Sequence, residues 1–325
     1  MSRVGTLSKC LAAGALALAA VPPAAAQEAY PNRPIKIVVG FAAGALNDIM
    51  VRTITPRLSE RLGQPIVVEN RPGAGANIAA EVVARAAPDG YTLLAAPTST
   101  LAINPAIYTK LTYDPQRDFA PIAQLAFLTL YLTTRTEIPA NSLAELVAHA
   151  KANPQQANFA NVAPVFEMLI RSLGHRTGTT FEILQYRSTA ESMTALITGQ
   201  AMLSFQDFNT LNVHLKAGKV RPLVNATTKR SEQLPDVPTF AEAGQPGLEF
   251  DSFAGLVAPK ATPAAILKRI EAEALAVCRL PEVTERWRTL GITAICNDTA
   301  TFTSVLTSEV KRWAEIAQQT GIKLD

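Results

Sequence analysis

Two α/β lobes joined by a pair of extended crossings are the fold class that this sequence predicts. Three observations carry it. Short β-branched runs alternate with small-residue loops and helical patterns, the signature of strand–helix–strand units. Two long apolar stretches, residues 122–134 and 250–258, interrupt that alternation. No low-complexity linker divides the 325 residues, which suffice for two domains at roughly 100–200 residues each.

The chain starts with a processing signal. Arg3 and Lys9 precede an apolar run over 11–21, and Pro22-Pro23-Ala24-Ala25-Ala26 follows. That layout predicts a signal peptide over 1–26, cut after Ala26 at an A-x-A site. A membrane-spanning helix needs about 20 apolar residues; this run is shorter and is broken by Pro22 and Pro23. Cys10 lies ahead of the apolar run rather than at the cleavage point, which argues against a lipid anchor. Cleavage leaves 299 residues and lowers the formal charge from +3 to +1. So near neutrality no nucleic-acid partner is expected, since one calls for a basic face.

In the mature chain, Ile35-Lys36-Ile37-Val38-Val39 reads as a buried strand ended by Gly40. A small-residue loop leads into a helical pattern that runs to Leu62 and stops at Gly63; Pro56 inside it predicts a kink or restart. Residues 65–69 form the next strand, 70–77 a glycine-rich loop feeding a helix to Ala86, and 91–96 a third strand after the Pro88-Asp89-Gly90 turn. This alternation implies a parallel sheet. Residues 122–134 read as a strand passing between lobes. Ser142-Leu143-Ala144-Glu145 is a capping box, opening a helix that Asn153-Pro154 ends. Strands follow at 181–186, 201–205 and 220–225, with a helix at 190–197, before the second crossing at 250–258. Thr262-Pro263 reads as an N-cap with proline at the first helical position. A long helix over about 301–319 ends at Gly321. The first lobe is thus expected from both chain ends, 27–124 plus 254–325, and the second from 125–253.

Two cysteines remain after cleavage, Cys278 and Cys296. An oxidising compartment favours a disulfide between them. Two buried thiols packed as small apolar residues are the alternative, because a sequence is silent on the Cα separation a bridge requires. With no histidine nearby they supply too few ligands for a metal site.

The catalytic repertoire is thin. His149, His175 and His214 have no metal-ligand spacing, and the first and second of them read as surface residues of helices. There is no G-x-S-x-G elbow and no Walker loop. Gly73-Ala74-Gly75 places Ile78 where a dinucleotide fingerprint needs its third glycine. No enzyme and no cofactor is predicted. What repeats is a small-residue loop running from a strand end into a helix N-terminus, at 42–48 and again at 73–77. Free N–H groups at such ends attract anions, and open α/β sheets bind ligands at the carboxyl ends of their strands. Pro97-Thr98-Ser99-Thr100 adds hydroxyls at a third strand end. Ordinary short connections with no ligand are the competing reading of these loops.

A series of longer motifs resembles one family. Tyr30-Pro31-Asn32-Arg33-Pro34-Ile35 leads into Val38-Val39-Gly40-Phe41-Ala42-Ala43-Gly44 and Asp48; Val67-Val68-Glu69-Asn70-Arg71-Pro72-Gly73-Ala74-Gly75 and Ala87-Pro88-Asp89-Gly90-Tyr91-Thr92-Leu93-Leu94 follow. Tyr113-Asp114-Pro115, Asp118-Phe119 and Leu234-Pro235-Asp236-Val237-Pro238-Thr239 with Glu242-Ala243-Gly244 extend the match over nearly the whole mature chain. Together they resemble the Bug family, the periplasmic receptors of tripartite tricarboxylate transporters. The resemblance implies a type II periplasmic-binding-protein fold: two α/β lobes joined by two crossing strands, with a ligand cleft between them. It implies a periplasmic, monomeric solute-binding protein that closes on a small organic carboxylate and hands it to membrane transporter subunits. A ligand sensor signalling through a membrane receptor would use the same fold.

By this resemblance, first-lobe loops hold the carboxylate, with Ala43, Gly44, Ala45 and Asn47 presenting backbone or amide donors and Thr98 and Ser99 presenting hydroxyls. Asp48 is expected to cap the helix instead, since two carboxylates repel. Asn161, Arg187 and Asp207 are the second-lobe candidates, Arg187 having a solvated surface charge as its rival reading. The sequence departs from the family in the first loop and, more widely, where the second lobe reads the ligand. Ala45 and Leu46 follow Gly44 where glycines are usual, 161–167 is apolar and shortened, and Gln206 is inserted between Phe205 and Asp207. These changes imply a carboxylate whose far end is less polar, aromatic or branched.

Overall fold

Runs rich in Ile, Val and Leu form strands because branched side chains pack well on a pleated, half-buried surface. In the computed structural model, which describes residues 30–324, these runs assemble into two sheets. The predicted signal peptide lies outside the described residues. In the first sheet β1 (Ile35–Val39), β2 (Ile66–Asn70) and β3 (Thr92–Pro97) are parallel, with β1 in the middle. β4 (Phe119–Leu128) belongs to the same sheet, and one residue later, beyond Thr129, β5 (Leu130–Arg135) belongs to the other. That second sheet also holds β6 (Asn158–Asn161), β7 (Glu182–Gln185), β8 (Leu203–Asp207) and β9 (Val220–Asn225), in the order β7-β6-β8-β5-β9. β10 (Ser252–Pro259) returns to the first sheet between β3 and β4, and β11 (Ile292–Asn297) closes the edge beyond β4.

Both apolar stretches therefore do carry the chain between sheets. A strand coming back from the second sheet enters the first from the far end, so β10 pairs antiparallel with both β3 and β4. The sheet is mixed where the local alternation implied a parallel one.

Helices cover the sheet faces: α1 (Leu46–Leu62), α2 (Asn77–Ala84), α3 (Asn104–Ile107), α4 (Pro115–Asp118), α5 (Leu143–Ala152) and α6 (Pro164–Thr177). They are followed by α7 (Thr189–Ile197), α8 (Phe208–Lys216), α9 (Ala264–Cys278), α10 (Pro281–Thr289) and α11 (Thr299–Thr320). α3, α4, α8, α10, β6 and β11 have weak local signals and are absent from the sequence reading, which gives α6 only as a helix around His175. Pro56 lies within α1 without ending it. Its missing N–H would strand the Arg52 carbonyl, which instead accepts the Thr55 hydroxyl at 3.2 Å. The capping box of α5 forms as read: Ser142 Oγ accepts the Glu145 N–H, and Glu145 reaches back to the Asn141 N–H at 2.7 Å. The cap expected at Thr262 does not form. Pro263 stays extended, α9 begins at Ala264, and the Thr262 hydroxyl is buried with no hydrogen-bond partner. The Thr262 N–H is held by the Pro259 carbonyl in the turn that ends β10, which takes the residue out of capping position.

The two faces of β1 feed different cores, as alternating side chains require. Ile37 and Val39 pack with Met50, Leu93 and Trp287, while Val38 packs with Leu94, Phe253 and Phe302. The core on the second sheet, around Leu132, Phe159 and Phe205, also takes in Ile103, Ile107, Trp313 and Ala317. The carboxyl half of α11 is thus a third connection between the two sheets, beyond the two crossing strands. Cys278 and Cys296 form a disulfide with a Cα separation of 5.9 Å, tying the end of α9 to β11.

Candidate functional site

Five strands deliver their carboxyl ends to one cavity of about 190 Å³ at the crossing strands. From the first sheet come the loop after β1 (Phe41, Ala42, Ala45) and the segment after β3 (Pro97, Ser99); from the second come the loops after β6 (Val162, Ala163), β7 (Arg187, Ser188) and β8 (Asp207). Each loop runs into a helical N-terminus, and first-turn amides of α1, α6 and α7 border the space. Such amides lack intrahelical acceptors and carry partial positive charge.

The first loop is built to stay put. Gly44 adopts a positive φ of 84°, and its N–H donates to Asp48 Oδ2 at 2.9 Å. Asp48 is buried and also takes Arg52 Nε at 2.9 Å and Asn70 Nδ2 at 2.8 Å. Asn70 Nδ2 in turn lies 3.0 Å from the Phe41 carbonyl. Burial alone would raise the Asp48 pKa, but hydrogen bonds from Arg52, Gly44 and Asn70 outweigh it and hold the carboxyl below its ordinary value. Asp48 is not the N-cap residue of α1, a place taken by extended Ala45; it reaches back from the first turn to the same effect. The Ala45 N–H is taken by the Ala42 carbonyl at 3.1 Å, so the donors left to a ligand begin with the first-turn amides of Leu46 and Asn47. Asn47 Oδ1 is buried with no hydrogen-bond partner.

The predicted residues divide in two. Ala45, Asn47, Ser99, Arg187 and Asp207 line the cavity; Ala43, Gly44, Thr98 and Asn161 do not. Ala43 is exposed outside it. Thr98 is fully buried, its hydroxyl accepting the Phe253 N–H at 2.8 Å, which fastens the return crossing to β3. Asn161 donates to Gln185 Oε1 at 3.0 Å and shapes the loop from below. Arg187 is exposed, and among the described residues no carboxylate pairs with its side chain; its N–H donates to Glu191 Oε2 at 3.0 Å, while Ser188 caps α7. Asp207 caps α8, accepting the Thr210 N–H at 2.9 Å and the Thr210 hydroxyl at 3.0 Å. Burial pushes its carboxyl pKa up, outweighing the hydrogen bonds from Thr210 and from the backbone amides of Asn209 and its own residue.

Much of the remaining wall is apolar. Leu46, Leu128, Leu130, Val165, Phe166 and Phe250 line it. Phe166 stacks against Phe205 at 5.0 Å, and Phe250 meets Trp313 edge-on at 5.6 Å. Sequence reasoning missed Phe166 and Phe250, because an apolar residue facing a cavity has the same pattern as one facing the core. The loop over 73–77 lies outside the lining. It packs on β1 instead: a Cβ on Gly40 would fall 2.3 Å from that of Ala76, so glycine is needed there for the approach. A larger cavity of about 440 Å³ is lined by Phe127, Thr129 and Asp251, the alternate residues of the same crossing segments, and therefore lies on their other face, away from the converging helix ends.

The model of the tripartite tricarboxylate transporter family receptor matches residues 50–322. The chain belongs to that family. BugT of Bordetella pertussis is 29% identical over 95% of this chain and 96% of its own. Among solved structures, Rpa4515 of R. palustris with adipate has a TM-score of 0.84 at 30% identity, covering 90% of this chain and 99% of that one. MatC from Rhodopseudomonas palustris with bound malate has a TM-score of 0.80 at 30% identity, over 88% and 99%. The family and its solved members are periplasmic binding proteins rather than enzymes, and the two-lobed fold is theirs. Among the described residues no helix is long and apolar enough to cross a membrane. Within the family frame, most departures noted in the sequence sit on the cavity: Leu46, Val162, Val165 and Phe166 are lining residues, whereas Gln206 is buried against Ser192 and Ser204.

Proposed function

We propose that this chain captures a small organic carboxylate in the cavity between its two sheets and presents it to membrane subunits of a tripartite tricarboxylate-type transporter. The observation that carries the reading is the convergence of the N-termini of α1, α6 and α7, with Arg187 unpaired among them, on one small cavity. Aligned amides and a guanidinium stabilise a carboxylate without water. Two related proteins carry adipate and malate in their structures, which supports the ligand class. On the first sheet the contacts fall to Asn47, Ser99 and the amides that follow Ala45; on the second, to Arg187 and Asp207.

Contacts from both lobes at once favour the closed arrangement, so ligand binding and closure are linked. The signal-peptide pattern over 1–26 supports a periplasmic protein, read here as a monomer without cofactor or nucleic-acid partner. A thermal-shift screen of the mature, ligand-stripped chain against carboxylates and matched neutral amides tests this. At 100 times the dissociation constant a ligand adds about 2.7 kcal/mol of stability. Carboxylates should raise the melting temperature and their amides should not; equal shifts with both would refute the carboxylate anchor.

A further inference from the structure

The cavity holds two ionic side chains of opposite sign, and neither has an ionic partner among the described residues. Arg187 and Asp207 both line it, yet they form no ion pair with each other or with any other described residue. Asp207 is 7% exposed, and the groups that donate to it, the Thr210 amide and hydroxyl and the backbone amides of Asn209 and of its own residue, are all neutral. A carboxylate that far out of water is costly without a cation, and the upward push on its pKa has that same origin. Helix capping alone does not account for an acid here, because a neutral asparagine caps as well as aspartate. Around this pair the wall is apolar: Leu130, Val165, Phe166 and Phe250.

We propose that Asp207 is a specificity residue that receives a protonated amino group, so that the ligand is a zwitterionic amino acid with an apolar side chain. This rests on the carboxylate-binding reading above. The ligand carboxylate goes to the α1 amides and Arg187, its ammonium to Asp207, and its hydrocarbon body to the Phe166–Phe250 wall. A net-neutral cavity matches a net-neutral ligand. A dicarboxylate, by contrast, brings a second negative charge to a wall whose only carboxylate is already short of a counter-ion, and like charges at close range disfavour each other.

The test is calorimetric titration of the purified protein with leucine and phenylalanine, with their deaminated twins 4-methylpentanoate and 3-phenylpropanoate, and with adipate and malate. The amino acids should bind at least tenfold tighter than the twins. Asp207→Asn keeps a capping side chain for Thr210 while removing the charge. It should cost the amino acids tenfold or more, leave the twins within about threefold, and improve dicarboxylate binding. Circular dichroism and an unchanged melting temperature establish that the variant is folded. Twins binding as tightly as the amino acids, or an Asp207→Asn loss shared equally by both, would overturn the amino-group subsite while leaving the carboxylate anchor intact. No binding by any of the six would overturn the anchor as well.

Discussion

Asp48 shows how one residue organises the entrance to the site. Its buried carboxylate joins the Gly44 amide, Arg52 and Asn70 in a single network, so the loop after β1 and the end of β2 are held together by one carboxylate. Its folded-state pKa lies below the ordinary value. For such a group the stabilisation is fully present above the unfolded-state pKa and is lost as pH falls through the folded-state value. Asp48→Asn should therefore lower stability at neutral pH and flatten the acid limb of a melting-temperature profile taken from pH 7 downward. An unchanged acid limb would show that other carboxylates set it. Asp207 is its opposite: same residue type, burial in both cases, but no cation beside it and a pKa that moves up.

Among the elements, the α9–β11 pair and the crossing strands set the frame around the cavity. The Cys278–Cys296 bridge closes a segment of sequence separation 18 that contains α10 and ties it to the outermost strand of the first sheet. In the chain-entropy model a loop of this size is worth ~3 kcal/mol. Reduction with dithiothreitol, or Cys278→Ala with Cys296→Ala, should lower the urea midpoint by an amount consistent with that figure. Because the bridge lies off the cavity, ligand affinity should hold within about twofold. The crossing strands themselves were legible early, since long apolar runs have no other place in a chain of short amphipathic units. That Pro56 does not restart its helix and Thr262 does not cap its own has a shared reason. Local rules assign a proline or a threonine its commonest role, whereas Thr55 satisfied the carbonyl at one site and the β10 turn claimed the residue at the other.

On the scale of the molecule, α11 changes the expected picture of two lobes linked by two strands. Trp313 and Ala317 lie in the core of the second sheet while Phe302, earlier on the same helix, lies in that of the first. A shared core predicts cooperative melting. Calorimetry of the ligand-free protein should give one transition, and two well-separated transitions would argue that the lobes are independent. Trp313→Ala should cost ~3–5 kcal/mol, the usual range for truncating a buried tryptophan, and should loosen Phe250, which it backs. A loss below about 1 kcal/mol in urea titration would mean that the helix is not an integral link.

Sequence by itself determined the fold class, most strands of both lobes and the kind of site, because each rests on local pattern: β-branched runs, glycine punctuation and small-residue loops entering helices; its longer motifs carried the family. It also pointed to Asn47, Ser99, Arg187 and Asp207 among the cavity residues. Only the tertiary structure decided which loop faces the ligand and which faces the protein. The loops at 42–48 and 73–77 look alike as text, yet one lines the cavity and the other packs on β1 against Gly40. Thr98 and Ser99 are neighbours with opposite fates, one bonded to the return crossing and one turned to the cavity. Phe166 and Phe250 carry no signal at all beyond being apolar. Facing is set by strand pairing between segments more than a hundred residues apart, such as β3 with β10, and no local pattern records a contact made at that distance.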